Sequence, residues 1–147
     1  MNSRGRLILA DVLIVDDDPP MRHLLRRFLE PAGYWVREAG SAREALAQIA
    51  ESAPAVALCD VHMPGGANGL WLAEQIRLQA PATAIVLVTG DPEIPPTESL
   101  RSGVVGYLLK PLNREVLVRI VDDAMIWSSL ERDKPSTDVP GRLRLVG

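Results

Sequence analysis

The sequence is poor in features that would mark a secreted or membrane protein. It contains one cysteine, Cys59, so no disulfide can form within the chain, which suits a reducing cytosol. No apolar run approaches the roughly 20 residues that a membrane-spanning helix needs. The apolar stretch at residues 7–10 is too short for the core of a secretion signal. We therefore expect a cytoplasmic protein that does not insert into membranes.

Concentrated positive charge is also lacking. The formal net charge is −3, whereas a face that neutralises nucleic-acid phosphates needs clustered basic residues. The densest basic group is Arg22, Arg26 and Arg27, which we interpret as the solvated face of a helix. We therefore expect no direct binding of nucleic acid by this domain.

What the chain does contain is a repeated alternation of short apolar runs and amphipathic stretches. Runs that are apolar at every position are typical of strands covered on both faces, as in a parallel sheet. Such runs, the second of them weaker, predict strands at residues 12–15, 34–38, 55–59, 84–88 and 105–109. The predicted fold class is α/β: one open, doubly wound, five-stranded parallel sheet with helices on both faces.

Capping residues predict where helices begin. Asp18 can cap the first helix, and Ser41 with Glu44 three residues later forms a capping box for the second. Asn113 can cap a last helix that extends to about residue 132. Prolines leave room for only a short or irregular fourth helix, at about residues 97–102.

The domain limits follow from the ends of this pattern. We expect an N-terminal extension at residues 1–10 and one domain at residues 11–132. Residues 133–147 are polar and contain proline, which predicts a flexible tail or linker.

Polar side chains stand where the apolar runs end. Asp16 and Asp17 follow the first run, Asp60 the third, Thr89 the fourth and Lys110 the fifth. Ligands of open parallel sheets bind beyond the carboxyl ends of the strands, so these residues are expected to meet at one edge. Clustered carboxylates repel one another, which raises a pKa, and a hard divalent cation such as Mg²⁺ removes the repulsion. A carboxylate can also attack phosphorus to form an aspartyl phosphate.

These residues belong to motifs that occur in a known order. The motifs are Val15-Asp16-Asp17, Asp60 with Met63-Pro64, Thr89-Gly90, and Gly106-Tyr107-Leu108-Leu109-Lys110-Pro111. Each is weak alone, but together, at predicted strand ends, they resemble the receiver domain of bacterial two-component response regulators. The resemblance covers residues 11–125 and implies a flavodoxin-like sheet of order 2-1-3-4-5.

The resemblance implies a phosphoacceptor and a metal site. Asp60 would accept a phosphoryl group from a histidine kinase or a phosphotransfer protein, with Mg²⁺ or Mn²⁺ as cofactor. Asp17 and Asp60 would bind the metal directly and Asp16 through water, and the backbone carbonyl of His62 would complete the protein ligands.

The resemblance also implies a switch rather than an enzyme acting on other molecules. Thr89 and Lys110 would contact the phosphoryl group, and Thr89 with Tyr107 would transmit its presence to the protein surface. Our hypothesis is that His62, two residues after the phosphoacceptor, pairs with Asp91, two after Thr89. The pair would tune the lifetime of the phosphate by controlling the attacking water.

Two segments depart from the receiver pattern. The loop that contains Gly65-Gly66-Ala67-Asn68 is about one residue longer than usual, which would alter access to the site. Pro92, Pro95 and Pro96 cannot lie inside a regular helix, so we expect an atypical output surface.

Three other functions are less compatible with these residues. A degenerate receiver that acts only as a protein-docking module would lack an aspartate or the lysine, and none is missing. A phosphohydrolase would need a carboxylate where His62 stands. A flavin-binding protein would need a phosphate-cradling loop where three aspartates would repel phosphate. A homodimer is compatible with the sequence, as is either a stand-alone receiver or a piece of a longer regulator.

Overall fold

A computed structural model describes residues 11–64, 67–91 and 103–135. The expected N-terminal extension, the short fourth helix at residues 97–102, the three prolines before it and most of the tail lie outside the described residues. Within them the strands are β1 (Asp11–Val15), β2 (Trp35–Ala39), β3 (Val56–Asp60), β4 (Ala84–Thr89) and β5 (Val104–Leu109). The helices are α1 (Pro19–Leu29), α2 (Ala42–Glu51), α3 (Gly69–Gln79) and α4 (Arg114–Arg132).

The strands form one parallel sheet in the order β2-β1-β3-β4-β5, as expected. All of the residues of β3 and β4 are buried, which is why these strands read as unbroken apolar runs. The chain moves outward from β1 to β2 and then returns across β1 to β3. The strand order therefore reverses between β1 and β3, which is where open sheets of this kind form ligand sites.

Helices cover both faces of the sheet. On one face, α2 and α3 pack through Ala45, Ile49, Leu72 and Ile76. On the other face, α1 and α4 pack through Leu25, Leu29, Leu117, Val121 and Ala124. The two cores cover the faces of the sheet, so the functional residues lie at its carboxyl edge.

The predicted caps were partly correct. The side chains of Ser41 and Asn113 each accept a hydrogen bond from the backbone N–H three residues on, at 3.1 and 3.0 Å. Asp18 stands at the N-cap of α1, but its side chain makes no capping hydrogen bond. An unpredicted cap is Asn68, whose Oδ1 accepts hydrogen bonds from the backbone N–H groups of Leu70 and Trp71. The start of α3 is therefore well defined.

Candidate functional site

Three carboxylates meet at the carboxyl edge of the sheet. Val15 of β1 pairs with Cys59 of β3, so the acidic residues that follow them lie side by side. Asp16, Asp17 and Asp60 each offer one oxygen, and these oxygens lie within 4.8 Å of one another. Asp16 and Asp60 are buried, with 2% and 5% of their surface exposed, whereas Asp17 is exposed. The sheet thus brings together the acidic residues that sequence analysis singled out.

A cation and a hydroxyl flank these carboxylates. The Nζ of Lys110 lies 3.5 Å from Oδ2 of Asp16 and 3.6 Å from Oδ1 of Asp60. Thr89 is fully buried at the end of β4, and its carbonyl accepts a hydrogen bond from the Lys110 N–H at 2.8 Å. That backbone bond ties the ends of β4 and β5 together and keeps the lysine beside the acidic group.

The two buried carboxyls resist ionisation. Burial raises the pKa of Asp60, and the charge of Asp16 raises it further, against the opposing effects of Lys110 and the His62 N–H. Burial likewise raises the pKa of Asp16, although the Asp18 N–H and Lys110 oppose it. A cation held beside these carboxylates would favour their ionised forms and offset the cost of burying them.

The donor set suits a hard divalent metal ion. Carboxylate oxygens are the ligands that Mg²⁺ prefers, and exposed Asp17 leaves room for water molecules, which Mg²⁺ usually keeps. His62 follows closely on Asp60, and its backbone N–H donates to Oδ1 of Asp60 at 3.4 Å. Asp16, Asp17 and Asp60 therefore fit a metal such as Mg²⁺.

His62 and Asp91 face each other at the mouth of the site. Nε2 of His62 lies 3.7 Å from Oδ2 of Asp91, and 58% and 42% of their side-chain surfaces are exposed. The backbone N–H of Asp91 donates to Oγ1 of Thr89 at 3.0 Å, which ties this loop residue to the buried hydroxyl. The two predicted residues therefore lie together, at a distance longer than a hydrogen bond.

Tyr107 lies on β5 opposite Leu87 of β4. Its half-buried ring packs against the core on the α2–α3 face. Thr89 follows Leu87 by two residues, so its side chain points to the same face of the sheet. The two predicted switch residues are therefore close neighbours on adjacent strands.

The interpretation of the arginine group was wrong for two of its three members. Arg22 and Arg26 both donate to the Glu38 carboxylate, at 2.9 and 2.6 Å, and only Arg27 is exposed. Arg22 also donates through Nη1 to the backbone carbonyl of Asp16 at 2.6 Å. Helical periodicity places the arginines on one face of α1, but which residue of β2 lies opposite is a tertiary fact.

Gly69 is a second residue that sequence analysis missed. A Cβ added there would lie 2.3 Å from the carbonyl oxygen of Asp60, so the start of α3 contacts the phosphoacceptor backbone directly. The Gly69 N–H donates to the carbonyl of Val61 at 3.0 Å and closes the loop after β3. Its place just before an amphipathic stretch was the available signal, but the close approach could not be read from it.

No described helix is long and apolar enough to cross a membrane.

Comparison with known proteins agrees with this geometry. Residues 12–122 match the family described as "Response regulator receiver domain". The transcriptional regulatory protein AruR of Pseudomonas aeruginosa is 40% identical over 113 residues, which are 73% of this chain and 46% of AruR. The nitrogen assimilation regulatory protein NtrX of Azorhizobium caulinodans is 33% identical over 125 residues, which are 84% of this chain and 28% of NtrX. The chain thus spans less than half of the length of either relative.

A solved structure agrees as well. The CheY-like response regulator receiver domain protein from Methanospirillum hungatei has a TM-score of 0.76 and 30% identity, covering 82% of this chain and 97% of that chain. The family match extends over most of the chain and includes all of the sheet except the first residue of β1, together with all of the strand-end residues described above. The chain therefore belongs to the response regulator receiver domain family of bacterial two-component systems.

Proposed function

We propose that this domain accepts a phosphoryl group on Asp60 from a histidine kinase or phosphotransfer protein, and that the reaction depends on Mg²⁺ or Mn²⁺. The observation that carries the proposal is the convergence of three carboxylate oxygens within 4.8 Å, flanked by Lys110. The domain would occupy residues 11–132 and act as a signalling switch rather than as an enzyme on other molecules.

The metal would be held by Asp16, Asp17, Asp60 and the backbone carbonyl of His62. When bound, it would neutralise charge on the carboxylates and on the transferred phosphoryl oxygens. Burial is the main reason that the pKa values of Asp16 and Asp60 are raised, so ionising both carboxyls in the folded protein is costly, and a bound cation would offset that cost.

In the transfer step, a carboxylate oxygen of Asp60 attacks phosphorus. The bond from phosphorus to the donor histidine nitrogen breaks as the acyl phosphate bond forms, and the histidine, which carries a proton on its other ring nitrogen, leaves as a neutral imidazole. Lys110 compensates the negative charge on the phosphoryl oxygens, and the Thr89 hydroxyl donates a hydrogen bond to one of them. Burial of Thr89 and Asp60 limits the reorganisation that these groups need.

The switch would use Thr89 and Tyr107. Movement of the Thr89 hydroxyl toward the phosphoryl group would release its hydrogen bond with the Asp91 N–H and open space on the Tyr107 side of the sheet. The half-buried ring of Tyr107 would then turn inward and change the surface around β5 and α4. A local change of charge would in this way reach a distant partner.

The His62–Asp91 pair would set how long the phosphate lasts. Both side chains are exposed and lie together, and we propose that they flank the path by which a water molecule would reach phosphorus. The pair would restrict that path, so the two residues govern the rate of loss rather than the rate of transfer.

The rest of a longer protein would provide the output. AruR is a transcriptional regulatory protein and NtrX a nitrogen assimilation regulatory protein, and each is more than twice as long as its matched region. We propose that this receiver controls such an output through its surface rather than by binding nucleic acid itself.

The test is phosphorylation by acetyl phosphate with and without Mg²⁺, compared with Asp60→Asn. We expect the intact protein to gain the mass of one phosphoryl group only with the metal, and Asp60→Asn to gain none. If the wild type acquires no group under any of these conditions, the domain is instead a degenerate receiver that serves as a protein-docking module.

A further inference from the structure

The main chain at Asp16 is held from several directions. Its N–H donates to the carbonyl of Ala39 on β2 at 3.1 Å, and its Oδ1 accepts from the Asp18 N–H at 2.9 Å. Its carbonyl accepts from Nη1 of Arg22 at 2.6 Å. Arg22 is the one charged donor among the three, and hydrogen bonds with an ionised donor or acceptor are roughly twice as strong as neutral ones. The peptide that joins Asp16 to Asp17 is therefore oriented by a side chain from the second turn of α1.

Arg22 is itself held in place on its far side. Its Nε donates to Oε1 of Glu38 at 2.9 Å, and Arg26 donates to the other oxygen of the same carboxylate at 2.6 Å. Burial disfavours the charged form of Glu38, but the hydrogen bonds from Arg26 and Arg22 outweigh it and lower its pKa. Glu38 thus stays ionised between two guanidinium groups, and Arg22 links this carboxylate to the loop after β1 that carries Asp16 and Asp17.

Neighbouring residues leave little free space around the Arg22 guanidinium. A Cβ at Gly40 would lie 3.3 Å from Nη1 of Arg22, so a larger residue there would press on it. Only 19% of the Arg22 side-chain surface is exposed. Contacts with both a carboxylate and a carbonyl fix the orientation of this half-buried arginine, which suits a positioning role.

We propose that Arg22 is a positioning residue for the metal site: it orients the Asp16–Asp17 peptide, and Glu38 keeps Arg22 in place. The inference rests on the proposed function, since it concerns how the carboxylates of Asp16 and Asp17 are presented to the metal. Arg22 touches neither the metal nor the phosphoryl group in this scheme. It acts through the backbone of a ligand, as the groups that orient ligands at metal sites commonly do.

The experiment measures Mn²⁺ binding to the full chain by electron paramagnetic resonance of the free ion. We expect Arg22→Ala to weaken binding by about 10-fold to 100-fold, the range typical of lost ligand-orienting contacts. Arg22→Lys should recover only part of this affinity, because an ammonium cannot contact the carboxylate and the carbonyl in the same fork. Arg27→Ala, an exposed arginine on the same helix, is the matched control and should bind as the wild type does.

A second readout separates positioning from simple loss of stability. With acetyl phosphate, excess Mg²⁺ should return the phosphorylation rate of Arg22→Ala toward that of the wild type, because the defect is one of affinity. The same excess should not rescue Lys110→Ala, which lacks a group that contacts the phosphoryl oxygens. Melting temperatures measured without metal show whether each variant is folded.

The outcomes are distinct. Wild-type affinity in Arg22→Ala, or equal weakening in Arg22→Ala and Arg27→Ala, would overturn the inference and leave the proposed function intact. If Arg22→Ala does not fold, Glu38→Gln replaces it, and unchanged Mn²⁺ affinity there would overturn the inference. Failure of the wild type to bind Mn²⁺ would overturn the metal dependence of the proposed function, and the inference with it.

Discussion

The site has a buried floor and an exposed rim. The floor consists of Asp16, Asp60, Thr89 and Lys110. The rim consists of Asp17, His62 and Asp91. The floor residues stand at strand ends that the parallel hydrogen bonds of the sheet hold in register, whereas the rim residues stand on loops.

The floor and the rim differ in solvation, and we expect this difference to give their residues different roles. Asp16, Asp60 and Thr89 are buried and Lys110 is partly buried, so charges in the floor interact strongly and a change in any of these residues would alter the chemistry. The rim residues are solvated. His62 and Asp91, whose mutual contact is longer than a hydrogen bond, would tune access, whereas Asp17 would bind the metal. Substitutions in the floor and in the rim should therefore differ in their effects.

Removing the floor cation should have the largest effect on chemistry. We expect Lys110→Ala to lower the rate of phosphorylation by acetyl phosphate by about 100-fold to 1000-fold, as for other preorganised groups that stabilise a transition state. The chain has one other lysine, Lys134, which lies beyond α4. Lys134→Ala is the matched control, and an equal loss in both variants would show that the effect is not local to the site.

Displacing the start of α3 from the backbone of Asp60 should lower the free energy of unfolding. Gly69→Ala places a methyl group 2.3 Å from the Asp60 carbonyl oxygen, so the start of α3 must shift. We expect the free energy of unfolding to fall by about 1–3 kcal/mol, as for other overpacked positions, measured by urea denaturation. Gly90→Ala is the control, because its Cβ would meet no atom closer than 4.0 Å. Equal stability of Gly69→Ala and the wild type would contradict the close contact.

Changes at His62 and Asp91 should alter phosphate lifetime and little else. We expect His62→Ala and Asp91→Ala each to speed loss of the phosphoryl group several-fold, because water reaches phosphorus more easily, while the extent of phosphorylation by excess donor changes little. Decay of the phosphorylated protein after donor removal measures the rate. Unchanged decay in both variants would remove the rim from any role in lifetime.

The smallest effect concerns the charge balance of the floor itself. Because the pKa of Asp60 is raised in the folded state, this group's contribution to stability is fully present below its unfolded pKa and is lost as the pH rises through its folded pKa. Without metal at pH 7, we expect Asp60→Asn to be more stable than the wild type by on the order of 1 kcal/mol.

That difference should depend on pH and on metal. It should shrink as the pH falls through the raised pKa of Asp60, where the wild-type carboxyl becomes protonated, and also when Mg²⁺ binds the wild type. Denaturation curves at several pH values, with and without Mg²⁺, measure this. A constant difference across the range would contradict the electrostatic origin.

Much of the fold was predictable because a parallel sheet leaves a strong mark on the sequence. Runs such as residues 84–88 are apolar throughout because helices cover both faces of the strand. The weak second strand was predictable only within a residue or so, since β2 is an edge strand with an exposed Trp35 and two charged residues. The strand order came from the resemblance to receivers, because periodicity does not say which strands are neighbours.

The site was predictable to a similar degree. Strand-end aspartates, the threonine and the lysine identify themselves by position, because any parallel sheet brings its carboxyl ends to one edge. Arg22 did not, because an arginine on a helix face reads as solvated until the residue opposite it is known. Gly69 did not either, because the cost of a side chain there depends on the backbone of β3.

By itself, the sequence determined the five strands, the capped starts of α2 and α4, and the set of groups that could carry phosphoryl chemistry. These depend on local rules: apolar periodicity, capping and the position of polar residues after strands. Only the tertiary structure decided the distances between Lys110 and the carboxylates, the raised pKa values of Asp16 and Asp60, and the bridge from Glu38 through Arg22 to Asp16. Those properties arise from burial and from contacts between residues far apart in the chain, which no local pattern encodes.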